Sequence, residues 1–222
     1  MMDSFYNTIF LVSLGLIAVA YSKKEKKPLI KTEVPGFYTI SGFSLISIIL
    51  INLIYIPIAL GILNLPYEST NISAPIRIVI CLHIIFWPLL EELFFRRFLF
   101  HSIAKRWGIS VGFFFSVILF SVLHIELINI IHTTLIGSLF TFLYIRTKSI
   151  VIPFLAHSFN NLLAYLNTNF DIPLFFIEFN SPWRYLEFVI ALLLLLWSLR
   201  RIYQITRPRN QATTRLPNQA TT

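Results

Sequence analysis

The chain has 222 residues, 56% of them hydrophobic and 13% charged, with a mean hydropathy of +0.75 and a formal net charge of +8. A soluble domain carries about 25% charged residues, so this composition excludes a soluble globular fold, which would have no polar surface to show water. The positive charges sit at the ends of apolar runs, which fits membrane topology and not nucleic-acid binding. The single cysteine, Cys81, lies inside an apolar run; it can form no internal disulfide and reads as a small core residue.

A spanning helix needs about 20 mostly apolar residues. Seven stretches qualify: 5–22, 37–63, 76–100, 109–127, 128–146, 150–166 and 183–200. The first ends in Ala18-Val19-Ala20, which resembles a signal-peptide cleavage site. Its charge order is wrong for one, because Asp3 precedes the run and Lys23, Lys24, Lys26 and Lys27 follow it; it is read as an uncleaved helix. The second contains Pro57, which predicts a tilt or kink. The fourth and fifth run together with only Glu126 between them, and the sixth starts near Pro153. The expected fold is all-α, a polytopic transmembrane helical bundle of about seven spans over 1–203. Beyond it, RPRNQATT (207–214) is followed by RLPNQATT (215–222). Such polar octapeptides cannot bury a core, so 204–222 is expected to be a disordered tail.

Lys and Arg set the orientation. Lys23, Lys24, Lys26, Lys27 and Lys31 lie between helices one and two. Arg96, Arg97, Lys105 and Arg106 lie at the turn between three and four, Arg146 and Lys148 between five and six, and Arg200, Arg201, Arg207 and Arg209 after helix seven. The alternate loops, 64–75 and 167–182, contain neither residue. Seven spans with the N-terminus outside and the C-terminus cytoplasmic put every basic cluster on the cytoplasmic side of an integral, multi-pass membrane protein.

An ionisable side chain in a span is a functional hypothesis by default, because burying it costs roughly 2.5 kcal/mol or more. The set is His83, Glu91, Glu92, His124, Glu126, His132 and His157, with the amides Asn52, Asn129, Asn160 and Asn161. Glu91 and His124 are equidistant from a turn at Trp107-Gly108. In an antiparallel hairpin both would lie roughly 24 Å from it, at 1.5 Å per residue. This requires helix three to continue past Arg96 to about Lys105, with Arg97 snorkelling to the interface and Arg96 paired with a buried glutamate five residues, about one and a half turns, away. His157 and Asn161, four apart, share a helix face. A carboxylate, two imidazoles and an amide suit water activation by a desolvated glutamate and oxyanion stabilisation by imidazole and amide donors. Glu91, His124 and His157 also match the make-up of a zinc triad.

The plainer readings stand beside these. Lone histidines such as His83 and His132 read as helix–helix hydrogen bonds, and Glu126 as an interfacial residue. Glu92 points about 100° away from Glu91 and is as suited to an arginine as to chemistry. The 22 phenylalanines read as lipid-facing packing.

EELFFR (91–96), FSVLH (120–124) and HSFNN (157–161) resemble, in order and spacing, the EExxxR, FxxxH and HxxxN motifs of the CAAX protease and bacteriocin-processing (CPBP, Abi) family of intramembrane proteases. The resemblance covers about 76–166. It implies peptide-bond hydrolysis in or at the membrane, in maturation or immunity, on a membrane-associated peptide or protein within the lipid bilayer. Glu91 would activate water with His124, His157 and Asn161 would form the oxyanion hole, and Glu92 and Arg96 would support the site. The family has been described both as zinc and as metal-free glutamate proteases. Asn161 favours the metal-free form, with no cofactor; Zn2+ on Glu91, His124 and His157 is the alternative. Two other classes remain open: a non-catalytic immunity or scaffold protein that keeps the motifs, and a proton-coupled transporter using Glu91 and the histidines as a relay. The latter is disfavoured by the lack of an internal repeat.

Overall fold

A computed structural model describes residues 2–24, 34–57, 78, 80–124, 127–170 and 184–207. Those residues form helices and no strands, as the composition requires. Seven helices follow in chain order. They are α1 (Met2–Lys24), α2 (Phe37–Pro57), α3 (80–107), α4 (Ile109–Val122), α5 (Leu127–Thr147), α6 (Val151–Phe170) and α7 (Arg184–Ile205). Glu126, the 64–75 loop, most of the 167–182 loop and both tail octapeptides except Arg207 lie outside the described residues. The segments Phe37–Tyr55, Ile130–Thr147 and Leu186–Ile205 are each long and apolar enough to cross a bilayer, and the apolar Ile109–Val122 is shorter.

Helix α1 runs without a break through Ala18-Val19-Ala20. Ala18 is fully buried and packs with Leu93, Phe100, Tyr144 and Ile150. A second, larger apolar core joins α2, α5, α6 and α7 through Ile40, Ile48, Phe140, Leu143, Ile152 and Ile202. Small hydroxyls let the backbones approach, as in membrane helix pairs generally. Ser198 Oγ on α7 donates to the Phe43 carbonyl of α2 at 3.0 Å and lies 2.9 Å from Ser47 Oγ. At the basic end of the bundle Arg146 donates to Thr206 Oγ1 at 2.9 Å and to the Tyr203 carbonyl, with its guanidinium 4.2 Å from the Tyr203 ring centre.

Helix α3 departs from the expected span 76–100. It reaches Trp107, as the hairpin argument required, and it alternates in winding: π-helical over Ile80–Phe86, α-helical over Trp87–Glu92, π-helical over Leu93–Phe100 and α-helical over His101–Trp107. Gly108, at φ 93°, ends it; this left-handed conformation is open to glycine at no steric cost. Helix α4 then returns against α3. A Cβ on Gly112 would lie 2.9 Å from Ala104 Cβ and 3.0 Å from the Phe100 carbonyl oxygen, so glycine sets how closely the hairpin closes. The expected fourth span, 109–127, is shorter in the structure: α4 ends at Val122 and His124 lies in the turn beyond it, its N–H bonded to the Ser121 carbonyl at 3.0 Å. That i−3 bond tightens the last turn and closes the helix.

Candidate active site

Glu91 and Glu92 end the α-helical part of α3, and Arg96 and Arg97 follow in its second π-helical part. Arg96 is fully buried. Its Nη1 donates to Glu92 Oε1 at 2.9 Å, one turn back along the same helix, and its Nη2 donates to the Gly137 carbonyl of α5 at 3.3 Å. Glu92 is likewise fully buried. Arg96 pairs with a buried glutamate, as expected, but with Glu92, four residues back, and not with Glu91, five residues back.

Three aromatic rings enclose the guanidinium. Its carbon lies 4.5 Å from the Phe120 ring centre, 5.5 Å from Phe140 and 5.8 Å from Phe95. All three rings are buried, at 2%, 0% and 1% exposure. The reading of the phenylalanines as lipid-facing packing is corrected here, although Phe114 and Phe115 are exposed. A cation removed from water gains from the negative faces of π systems, and these rings supply them.

Arg97 is corrected too. It does not snorkel: it is buried, and its Nε donates to Ser22 Oγ of α1 at 2.9 Å. Helix α1, which carries no motif, thus holds the charge next to the site.

Helix α6 brings His157 onto the two glutamates. Its Nδ1 lies 3.0 Å from Glu92 Oε1 and its Nε2 lies 3.7 Å from Glu91 Oε2. The ring stacks on Phe140, 4.9 Å between centres, and meets Phe120 edge-on at 5.7 Å. Glu92 and Arg96 form an ion pair, so the Nδ1 hydrogen bond is made by an imidazole N–H to a carboxylate. In the neutral ring the remaining lone pair on Nε2 then faces Glu91. Glu91 is partly accessible, with 16% of its side chain exposed. Its buried Oε2 accepts no hydrogen bond. Two acceptors turned toward each other suit a donor such as water.

The other predicted residues are placed as follows. His124 keeps its Nδ1 2.9 Å from the Phe120 carbonyl and its ring 5.0 Å from the Phe120 ring, so Phe120 touches both His124 and His157. The structure records no hydrogen bond or ion pair between His124 and Glu91. Asn161 faces α3, as its spacing from His157 implies, and its Nδ2 donates to the His83 carbonyl at 2.9 Å. His132 makes a helix–helix contact, as expected of a lone histidine. Its Nε2 lies 3.0 Å from Asn52 Oδ1, while Asn52 Nδ2 donates to Asn160 Oδ1 at 3.3 Å. Among the described residues no three His, Cys, Asp or Glu side chains are grouped to hold a metal ion.

Sequence reasoning missed Phe140, Gly137 and Ser22. Gly137 is the one glycine in α5, and a Cβ there would lie 2.9 Å from Phe120 Cδ1. An isolated glycine inside a helical pattern was the available signal. Phe140 and Ser22 carry none.

Carboxylates, an imidazole and a guanidinium are thus held together between apolar helices. Residues 72–163 match the family model of the type II CAAX prenyl endopeptidase Rce1-like proteins. The chain is also similar to "Putative membrane peptidase YdiL" of Bacillus subtilis (strain 168), with 31% identity over 100 residues, 42% of this chain and 41% of that protein. The chain therefore spans about two fifths of the length of that relative. No solved structure matches it significantly. The matched stretch runs from before α3 into α6 and contains Glu91, Glu92, Arg96, His124, His157 and Asn161.

Proposed function

We propose that the chain is an intramembrane endopeptidase that cleaves a peptide bond of a membrane-associated protein or peptide, without a metal ion. The observation that carries this reading is His157 set between two glutamates of unequal situation. Glu92 Oε1 takes both Arg96 and His157 Nδ1, while Glu92 Oε2, like Glu91 Oε2, accepts no hydrogen bond in a fully buried side chain. Glu91 differs in its partial access and in having no ion pair with an arginine among the described residues; its Oε2 accepts no hydrogen bond and lies 3.7 Å from His157 Nε2, a situation that suits a general base taking a proton from water.

Glu91 takes a proton from the water as the water oxygen bonds to the carbonyl carbon, and passes it to the amide nitrogen as the C–N bond breaks; His157 holds the developing oxyanion in its imidazolium form, through Nε2–H, with Nδ1–H kept on Glu92. Asn161, whose amide has a second N–H beyond the one given to His83, completes the oxyanion site. His124 is assigned to water activation with Glu91. Glu92 and Arg96 orient His157. The N-terminus lies outside and the C-terminus in the cytoplasm, with seven spans, and the 204–222 tail takes no part in the chemistry.

The test compares membrane peptides from cells carrying wild-type and Glu91→Gln protein at equal abundance. A peptide product that depends on wild type and falls at least about 100-fold in the variant supports the reading. An unchanged peptide profile, with the biological effect retained in the variant, sinks it in favour of a scaffold.

A further inference from the structure

The first π-helical stretch of α3 ends at Phe86, and Pro88 stands two residues on. In the i→i+5 register of a π-helix, the carbonyl of His83 would receive the N–H of residue 88. Proline has none. The neighbouring Trp87 N–H belongs, in the same register, to the carbonyl of Leu82. By that register the His83 carbonyl has no donor in its own helix. It is satisfied from α6: Asn161 Nδ2 donates to it at 2.9 Å. Pro88 itself is buried.

A side-chain amide carries two N–H groups on one nitrogen, in the plane of the amide. Fixing one of them on a backbone carbonyl fixes the direction of the other. We infer that Pro88 is a positioning residue: by leaving the His83 carbonyl unpaired it orients the Asn161 amide, whose second N–H is then held ready for a ligand oxygen on the side of His157. This rests on the proposed function for what the second N–H binds, but the linkage of Pro88, His83 and Asn161 stands without it. The proline three residues before the glutamate pair then acts on an amide 73 positions later in the sequence, through one carbonyl.

A double-mutant cycle of Pro88→Ala and Asn161→Ala, each alone and together, tests both layers. Thermal unfolding of the purified protein in detergent reads the linkage. In the wild-type background Asn161→Ala orphans the His83 carbonyl and lowers the melting temperature by about 2–4 °C or more. In the Pro88→Ala background the N–H of residue 88 reaches the carbonyl, and the same substitution costs less than half as much. Equal costs in the two backgrounds overturn the inference, whatever the protein's activity. Cleavage of the endogenous product reads the second layer. Pro88→Ala lowers kcat by about 10-fold or more with KM little changed, and adds nothing in the Asn161→Ala background, where loss of an oxyanion donor has already cost about 100-fold. Additive losses overturn the positioning role. If no cleavage is found even with wild type, the protease reading fails while the melting cycle still decides the linkage. Pro88→Gly supplies the same N–H with a different helix propensity, and must reproduce the coupling if the N–H is its cause.

Discussion

Arg96 is the residue whose loss the structure makes most costly. Replacing it by Met keeps an unbranched side chain of similar reach among Phe95, Phe120 and Phe140 and retains favourable sulfur–ring contacts. The substitution therefore removes the charge more than the packing. It leaves Glu92, fully buried, with only the His157 hydrogen bond at 3.0 Å, and deprives the Gly137 carbonyl of its Nη2 donor. Removing one partner of a buried ion pair costs about 3–5 kcal/mol, which for a chain of this size lowers the melting temperature by about 6–20 °C. Most of that cost is the stranded carboxylate. The double variant Glu92→Gln/Arg96→Met should recover at least about 2 kcal/mol of it, since Gln can still accept the His157 N–H through its carbonyl and carries no charge. Thermal unfolding of the three variants in one detergent measures the series. If the double variant melts at or below Arg96→Met alone, the charge argument is wrong and Arg96 acts through packing.

Three further outcomes are expected. Peptide cleavage should survive treatment with a chelator; activity lost to the chelator and restored by zinc would reassign Glu91, His124 and His157 as ligands. Gly112→Val should force the α3–α4 hairpin apart, because even a Cβ meets Ala104 at 2.9 Å, and should cost about 1–3 kcal/mol by thermal unfolding. Tags on the two termini should show opposite accessibility in intact cells, and equal accessibility refutes an odd number of spans.

The all-α bundle was legible because a mean hydropathy of +0.75 leaves no other fold, and the turn at Gly108 because a glycine sits after a basic helix end. Glu91, Glu92, Arg96, His157 and Asn161 could be picked out because polar groups in apolar runs are few. Their pairing could not. That Arg96 takes Glu92 depends on a four-residue spacing seen equally well as five from Glu91, and only the position of α6 decides which glutamate is left over. The rings around Arg96 were hidden for a different reason: with 22 phenylalanines in the chain, nothing local separates one that faces lipid from one that faces a guanidinium. The end of α4 was misplaced because Leu123, Ile125 and Leu127 continue the apolar pattern around His124, while the tightening bond to Ser121 is a matter of backbone geometry alone. The winding of α3 left only one written trace, Pro88.

The i,i+4 placement of Glu92 and Arg96 also bears on how the chain enters the bilayer. Each such charge at the centre of an inserting helix costs about 2.5–3.5 kcal/mol. A glutamate and an arginine one turn apart can neutralise each other as soon as α3 is wound, before any later helix has been made. Arg97 finds Ser22 in α1, which has left the ribosome well before it. Both arginines thus have a partner in chain already synthesised, and the imidazole of His157 and the amide of Asn161, arriving with α6, are the last of the site's groups to take their places. The order of biosynthesis is then the order in which the charges of the site are neutralised.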